Sequence, residues 1–265
     1  LTGIAAVGIA TVASGSVVAG TIGGKPWLNW LGPDGKNMGG TSVGFSSSSI
    51  AGIAAVGPDA VIAVGDAYGA NPTAWTAVYS APQSGKAYKS YTVQVGTAKL
   101  AVRTLRGVTA GTNGTVWVAG GALEGSILRG VAMQLNASQA PLVSVVAPKN
   151  TAQTFEAAMA FGDGSVMALG TSKITPGIVR NWRVLFAADG SVKQATELAS
   201  SAAGEGYSVV RFDGHLWTAV GLTIAAYDAK QQLVWSKPLN ASKAPIALVP
   251  LPGNSLLILT AAATL

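Results

Sequence analysis

A short apolar segment that ends in glycine recurs along this chain about every fifty residues. Five copies follow turn-type sequences such as TNGT and GDGS and end at Gly20, Gly65, Gly120, Gly170 and Gly221. Continuous apolar runs of this length predict strands that are buried on both faces. A repeat of about fifty residues that contains several strands predicts sheets that cover one another, because one such sheet is not stable alone.

The stretch 155–200 shows the repeating unit most completely. Its sequence predicts an apolar strand over 157–161, a GDGS turn, and a second strand over 166–169. A third strand around 182–186 and an ADGS turn then lead to an alternating strand over 192–198. Four strands joined by short connections predict one antiparallel sheet in up-and-down order.

The tryptophans support the same repeat. When the Asp-Gly turns are aligned, Trp27, Trp75 and Trp182 occupy one position of the third strand, and Trp117 and Trp217 share a position in the second. This register predicts that all five pack in the core. The predicted fourth strands are more polar and are expected to lie outermost; they cover 37–45, 87–95, 142–147, 192–198 and 233–239.

These features resemble bacterial β-propellers built from degenerate "dG-x-hydrophobic-G" repeats, although the Gly-His and Trp-Asp pairs of WD40 blades are missing. The resemblance implies an all-β propeller of four-stranded antiparallel blades, as one domain over 1–265, and it implies no activity. Five complete blades and a partial sixth are expected. Their approximate ranges are 1–49, 50–98, 99–150, 151–200, 201–242 and 243–265.

The partial blade contains two predicted strands, over 246–250 and 256–260. Either this half blade closes the ring with the N-terminal strands, or its outer strands come from further sequence or another chain. The alternative fold is an outer-membrane-type β-barrel. Barrel strands of nine or more residues alternate apolar and polar side chains, whereas the second strands here are shorter and apolar on both sides.

Composition suggests where the protein works. Charged residues make up 11% of the chain, cysteine is absent and 34 residues are glycine. This composition suits an extracytoplasmic protein that is periplasmic, secreted or on the cell surface. Glycines interrupt the uncharged stretch 1–24, so we expect no transmembrane segment there.

The net charge of +6 is spread along the chain. Its densest part, 86–106, carries five Lys and Arg residues with two tyrosines between them. Nucleic-acid binding favours a dense basic stripe with stacking aromatic residues, and this sparse pattern argues against it.

Few side chains suit catalysis. His215 is the only histidine and lies in a turn, so any catalytic triad or general base of the histidine type would use it. Asp66 and Glu124 follow second strands and are expected in loops at one mouth of the ring. Two carboxylates there would suit a glycosidase if they met. Four other acids, Asp34, Asp163, Asp189 and Asp213, precede glycine in predicted turns and are expected to have conformational roles.

The sequence predicts no cofactor and no metal site, since it contains neither a calcium loop nor a phosphate-binding loop. Trp30 and Trp235 lie outside the tryptophan register and are predicted to be exposed. Together with Tyr68 in a mouth loop, they are the candidate ligand-binding residues.

The leading interpretation is a non-catalytic extracytoplasmic propeller that binds a protein partner or assembles with further subunits. The alternative is a carbohydrate-binding or carbohydrate-active propeller, a lectin or a glycosidase that uses Asp66, Glu124 and exposed tryptophans. In both cases the contacts are expected in the mouth loops 21–26, 66–73, 121–126 and 171–177, because rigid scaffolds present function on loops.

Overall fold

In the residues that it describes, the computed structural model has twenty-two β-strands in six sheets. It describes residues 5–43, 45, 47–68, 73–80, 90–95, 101–111, 114–136, 141–175, 178–198, 207–220, 222–228, 230, 232–240, 245–251 and 255–260. Five sheets have four strands each, in consecutive antiparallel order, and the sixth has two. The prediction of four-stranded up-and-down sheets is therefore confirmed.

The strands are numbered along the chain and the sheets from 1 to 6. Sheet 1 contains β1 (Ala5–Val12), β2 (Gly15–Ile22), β3 (Lys25–Leu31) and β4 (Asn37–Ser42); sheet 2 contains β5 (Ser48–Gly57), β6 (Ala60–Ala67), β7 (Thr73–Ser80) and β8 (Ser90–Val95); sheet 3 contains β9 (Ala101–Ala110), β10 (Val116–Glu124), β11 (Ile127–Leu135) and β12 (Pro141–Val146). Sheet 4 contains β13 (Thr154–Ala160), β14 (Val166–Thr175), β15 (Ile178–Phe186) and β16 (Val192–Leu198); sheet 5 contains β17 (Tyr207–Phe212), β18 (His215–Val220), β19 (Thr223–Tyr227) and β20 (Leu233–Pro238); sheet 6 contains β21 (Pro245–Leu251) and β22 (Ser255–Thr260).

Each sheet packs against the next one in the chain. The first strands β1, β5, β9, β13, β17 and β21 are successive neighbours, so they form the inner side of the assembly. A separate apolar core fills each space between consecutive sheets, from sheets 1 and 2 to sheets 5 and 6. The buried faces are therefore covered by neighbouring repeats, as expected of a repeat architecture.

The repeated glycines face a bulge in the preceding strand. Gly20, Gly65, Gly120 and Gly170 pair with the residue just before an extra residue in the first strand of their sheets. The bulge turns a carbonyl oxygen towards the glycine. A β-carbon at Gly65, for example, would overlap the Ser49 carbonyl oxygen. Close approach of a carbonyl oxygen explains Gly65, Gly120 and Gly170 in this way.

The aligned tryptophans lie across from the same glycines. Trp27 pairs with Gly20, Trp75 with Gly65, and Trp182 with Gly170. Their shared register is confirmed. The predicted core packing holds fully for Trp75 and Trp117, whereas Trp27, Trp182 and Trp217 are half-buried.

A second set of glycines lets neighbouring sheets approach at the inner strands. A β-carbon at Gly8 would lie 3.1 Å from Ile53 Cγ2, and one at Gly52 would lie 2.9 Å from the Arg106 carbonyl oxygen. A β-carbon at Gly107 would lie 2.9 Å from the backbone of Ala157 in sheet 4. At Gly52 and Gly107 the approach is to backbone, which cannot move aside as a flexible side chain can.

The Asp-Gly turns have the predicted conformational role. Oδ1 of Asp163 accepts hydrogen bonds from the backbone N–H and the hydroxyl of Ser165, and Asp189 does the same with Ser191. These bonds hold the pKa of each carboxyl below its ordinary value. The glycine that follows has positive φ, 81° at Gly164, which explains why glycine occupies it.

The second strands are longer than predicted and include much of the expected mouth loops. Residues 21–22, 66–67, 121–124 and 171–175 continue β2, β6, β10 and β14. Asp66 and Glu124 therefore lie in strands, and the prediction that they lie in loops is wrong. Hairpin pairing satisfies the backbone groups of these residues, so the strands extend past the glycines. Residues 69–72 and 176–177 of the predicted loops lie outside the described part.

Burial falls from the second strands to the fourth. Strands β6 and β10 are buried along most of their length, while β16 and β20 are largely exposed. Strand β2 is an exception, since its residues alternate between buried and half-buried. Its buried side chains face sheet 2 through Val17 and Ala19.

Sheet 6 consists of β21 and β22, and β21 packs against β17 and β18 of sheet 5. Strand β1 pairs with β2 within sheet 1. Among the described residues, β22 pairs with β21 alone, so hydrogen bonds between strands do not join sheet 6 to sheet 1 there.

Candidate functional site

The strands define two rims of the sheet assembly. The upper rim carries the turns between second and third strands and the connections from one sheet to the next. The lower rim carries the turns between first and second and between third and fourth strands, because consecutive strands are antiparallel.

A groove of about 410 Å³ opens at the upper rim between sheets 3 and 4. We call it the 3/4 groove. Its walls are the β10–β11 turn, the connection from β12 to β13, and the facing ends of β14 and β15. Its lining residues are Glu124, Ile127, Leu128, Arg129, Pro148, Lys149, Asn150, Thr151, Ala152, Gln153, Ser172 and Arg180. This volume is within the range of about 300–1,000 Å³ that ligand pockets occupy.

Arg129 fixes one wall of the 3/4 groove. Its side chain is 15% exposed, and its Nε donates a hydrogen bond of 3.0 Å to the Ala147 carbonyl oxygen. The guanidinium also donates to the same oxygen and forms an ion pair with Glu124. Because β10 and β11 pair Ala122 with Arg129, the hairpin register brings both charges to this wall. Because three contacts hold the guanidinium, it is already in position before any ligand binds.

The connection 148–153 forms the second wall. The Thr151 hydroxyl donates to the Pro148 carbonyl oxygen at 2.6 Å, which closes a tight turn. Asn150 has a φ of 62°, in the left-handed region that asparagine tolerates better than most residues. The Gly130 N–H donates to the Ala152 carbonyl oxygen, and the Gln153 N–H donates to that of Thr171. The loop is therefore anchored to sheets 3 and 4.

Sheet 4 provides the third wall through Ser172 and Arg180, which are paired across β14 and β15. The Trp182 Nε1–H donates to the Ser172 hydroxyl oxygen at 3.0 Å. Nε of Arg180 lies 3.3 Å from Oε1 of Glu197, and both side chains are about half exposed. An exposed pair of this kind is weak and can exchange partners at little cost.

Asp66 is buried away from the 3/4 groove. Its side chain is 4% exposed, and it forms an ion pair of 2.9 Å with Arg106. Its Oδ1 accepts a hydrogen bond from the Leu105 N–H at 3.0 Å. Burial raises the pKa of Asp66, while Arg106 and the Leu105 amide oppose that rise. The carboxylate therefore ties sheet 2 to the bulge of β9 in sheet 3.

The three catalytic candidates are not brought together. Glu124 pairs with Arg129 and Asp66 pairs with Arg106, so the two carboxylates have separate partners. His215 begins β18 at the lower rim, with Nδ1 2.7 Å from the Asp213 carbonyl oxygen. It lies at the opposite end of the strands from both carboxylates, which excludes a triad from these residues.

The aromatic candidates differ in exposure. Trp30 is 2% exposed, so the prediction that it is exposed is wrong. It pairs with Val17 and belongs to the core between sheets 1 and 2. Trp235 is 43% exposed, as predicted, and its ring lies 5.4 Å from that of Trp217. Tyr68 is also exposed, just after β6 at the upper rim.

Sequence reasoning found Glu124 and placed Ser172 in an expected contact segment, 171–177, but missed the other lining residues of the 3/4 groove. Two signals were available: the adjacent exposed aliphatic residues Ile127 and Leu128 after a turn, and the Pro-Lys-Asn-Thr connection at 148–151. Among the described residues, no three His, Cys, Asp or Glu side chains are placed to bind a metal ion. The described residues also include no helix with the length and apolar character that crossing a bilayer requires.

Comparisons by sequence identify no relative. No protein-family model matches the chain. No curated protein matches it either.

Solved structures are similar in fold. The WD40 domain of Neurospora crassa Pan2 has a TM-score of 0.57 at 11% identity, over 92% of this chain and 68% of that one. The WD40 domain of Toxoplasma gondii coronin has a TM-score of 0.54 at 13% identity, over 96% of this chain and 64% of that one. A putative 6-phosphogluconolactonase from Bacteroides uniformis has a TM-score of 0.57 at 12% identity, over 95% of this chain and 73% of that one.

Identities this low establish the fold alone. The chain spans slightly less than two thirds of the coronin domain. The separate four-stranded sheets agree with the propeller fold of the similar solved structures. The predicted fold class is therefore confirmed: the chain is a β-propeller of four-stranded antiparallel blades.

Proposed function

We propose that this protein is a non-catalytic, extracytoplasmic propeller that binds a partner protein through the 3/4 groove. The observation that carries this proposal is the groove itself. Arg129 and the anchored 148–153 loop form rigid walls around the exposed aliphatic side chains of Ile127 and Leu128. Ile127 is 62% exposed. Arginine is enriched at protein interfaces, and the buried centres of interfaces are apolar.

Two further observations support a binding role. Asp66 pairs with Arg106 and Glu124 pairs with Arg129, while His215 lies at the opposite rim. This geometry therefore gives no acid–base pair among the three candidates. WD40 domains, which share the fold, often mediate interactions between proteins. The extracytoplasmic location is proposed from composition alone: charged residues make up 11% of the chain and cysteine is absent.

Site-specific cross-linking tests this function. A photoreactive phenylalanine derivative replaces Leu128 in the 3/4 groove or Leu142, an exposed residue of the outer strand of the same sheet. Each protein is irradiated in extracts of its native host, separated into extracytoplasmic and cytoplasmic fractions. We expect one protein cross-linked at position 128, in the extracytoplasmic fraction, that excess unlabelled protein displaces. Identical products at both positions would show that the groove has no dedicated partner.

The carbohydrate alternative has one observation in its favour, the exposed Trp235 beside Trp217. Exposed aromatic rings can stack on sugars. A glycan array with the protein and its Trp235→Ala variant tests it, because a lectin would lose its signal in the variant.

A further inference from the structure

We propose that the 3/4 groove recognises an acidic, extended peptide segment in which carboxylate side chains alternate with aliphatic ones. This inference rests on the proposed function and specifies the chemistry of the partner. It follows from the charges of the groove, the rigidity of its rim and the nature of its apolar surface.

The charge balance of the groove is positive. Arg129, Lys149 and Arg180 line it, against one lining acid, Glu124. Glu124 is already paired with Arg129, and Arg180 is paired with Glu197 from outside the lining. Among the described residues, Lys149 has no ion-pair partner, so the ammonium group is available to a ligand. The Arg180–Glu197 pair is half exposed, and a ligand carboxylate can replace Glu197 at little cost.

The rim holds the backbone of Lys149 in a fixed turn. The turn that contains it is closed by the bond from Thr151 to Pro148, and the next residue, Asn150, takes the left-handed backbone conformation. The Asn150 side chain is exposed beside the lysine, at the edge of the groove. A carboxylate can accept hydrogen bonds from both an ammonium and a carboxamide group. Because the loop is already ordered, binding costs little conformational entropy there.

The apolar part of the groove favours a peptide over other anions. Ile127, Leu128, Pro148 and Ala152 contribute aliphatic surface, and none of the lining residues is aromatic. Single-stranded nucleic acids are usually bound on aromatic platforms. Aliphatic surface instead matches leucine-like side chains. In an extended segment, successive side chains point to opposite sides, so acidic and aliphatic residues can reach different walls.

Fluorescence anisotropy with synthetic peptides tests the inference. The probe is labelled Gly-Leu-Glu-Leu-Asp-Gly, and the control is the same peptide with Gln and Asn in place of Glu and Asp. We expect the acidic peptide to bind about tenfold more tightly than the amide peptide. Raising the salt concentration from about 0.05 M to about 0.5 M should reduce the difference, since screening weakens exposed charge pairs.

Charge-reversal variants locate the binding site. Lys149→Glu should weaken binding of the acidic peptide about five- to tenfold, mainly through slower association. Lys25→Glu is the matched control, because Lys25 is an exposed lysine of the upper rim in sheet 1, away from the groove. It should leave the affinity unchanged. Equal losses in both variants would overturn the inference, because a general charge effect would then explain the binding.

The outcomes separate this inference from the proposed function. Equal binding of the acidic and amide peptides overturns the acidic specificity, whatever cross-linking shows. If neither peptide binds while position 128 still cross-links one partner, the proposed function stands and the acidic segment is wrong. A polyanionic glycan that displaces the acidic peptide and binds more tightly would also overturn it. Loss of cross-linking at position 128 in Lys149→Glu, but not in Lys25→Glu, supports it.

Discussion

The ring of Trp75 occupies the space that a β-carbon at Gly65 would need, 2.7 Å from its Cζ2 atom. The same β-carbon would overlap the Ser49 carbonyl oxygen on the other side. The glycine thus has backbone on one side and a fully buried ring on the other, and neither can move without disturbing a core.

We therefore expect Gly65→Ala to lower the free energy of unfolding by about 3 kcal/mol or more. Denaturant unfolding followed by tryptophan fluorescence measures the loss. The control is Gly57→Ala at the end of β5, where the nearest atom to a new β-carbon is 3.7 Å away. A similar loss in both variants would contradict the close approach as the reason for the glycine, since alanine by itself lowers the entropy of the unfolded chain and favours folding.

The buried carboxyl of Asp66 predicts a pH dependence of stability. Because burial raises its folded-state pKa above the ordinary value, the folded state binds the proton more tightly than the unfolded state does. Its stabilising contribution is therefore complete below the ordinary aspartate pKa, and part of it is lost as pH rises through the raised value.

Comparison with Asp66→Asn isolates this effect, since asparagine does not titrate. The unfolding free energy of the native protein minus that of the variant should be largest near pH 3 and smaller near pH 7. Denaturant titrations at both pH values measure it. A difference that grows with pH would mean that the Arg106 ion pair outweighs desolvation.

Arg129 should stabilise the fold as well as the 3/4 groove. In Arg129→Met the Ala147 carbonyl oxygen loses its guanidinium donors, so we expect a loss of about 1–3 kcal/mol. Arg180→Met removes a half-exposed pair and should cost less than about 1 kcal/mol. Thermal unfolding of the two variants makes the comparison. Equal costs would contradict the anchoring role of Arg129.

The outer strand β20 should promote self-association. Leu233, Val234 and Trp235 are consecutive and all exposed on an edge strand, the arrangement that favours pairing between chains. Val234→Lys should raise the temperature at which light scattering begins, while changing the unfolding free energy by about 0.5 kcal/mol or less. Gln194→Lys on the already polar β16 is the control and should leave the onset unchanged.

The parts of the fold that depend on local pattern were predictable from the sequence. The glycine repeat, the Asp-Gly turns and the tryptophan register all reflect contacts within one sheet. The prediction for Trp30 was wrong because its odd spacing from Trp27 only places it on the opposite face of β3, and sheet 2 covers that face. The 3/4 groove was missed because two sheets and the connection between them form it. Of its lining residues, only Glu124 and Ser172 lie in segments where the sequence predicts contacts, 121–126 and 171–177.

Gly107 sits at the inner contact between the two sheets that also flank the 3/4 groove. Because Gly107 has no side chain, the backbones of β9 and β13 approach closely at this point. The β-carbon of an alanine at this position would push β9 and β13 apart. A single methyl group outside the lining of the 3/4 groove would then change the width of the groove.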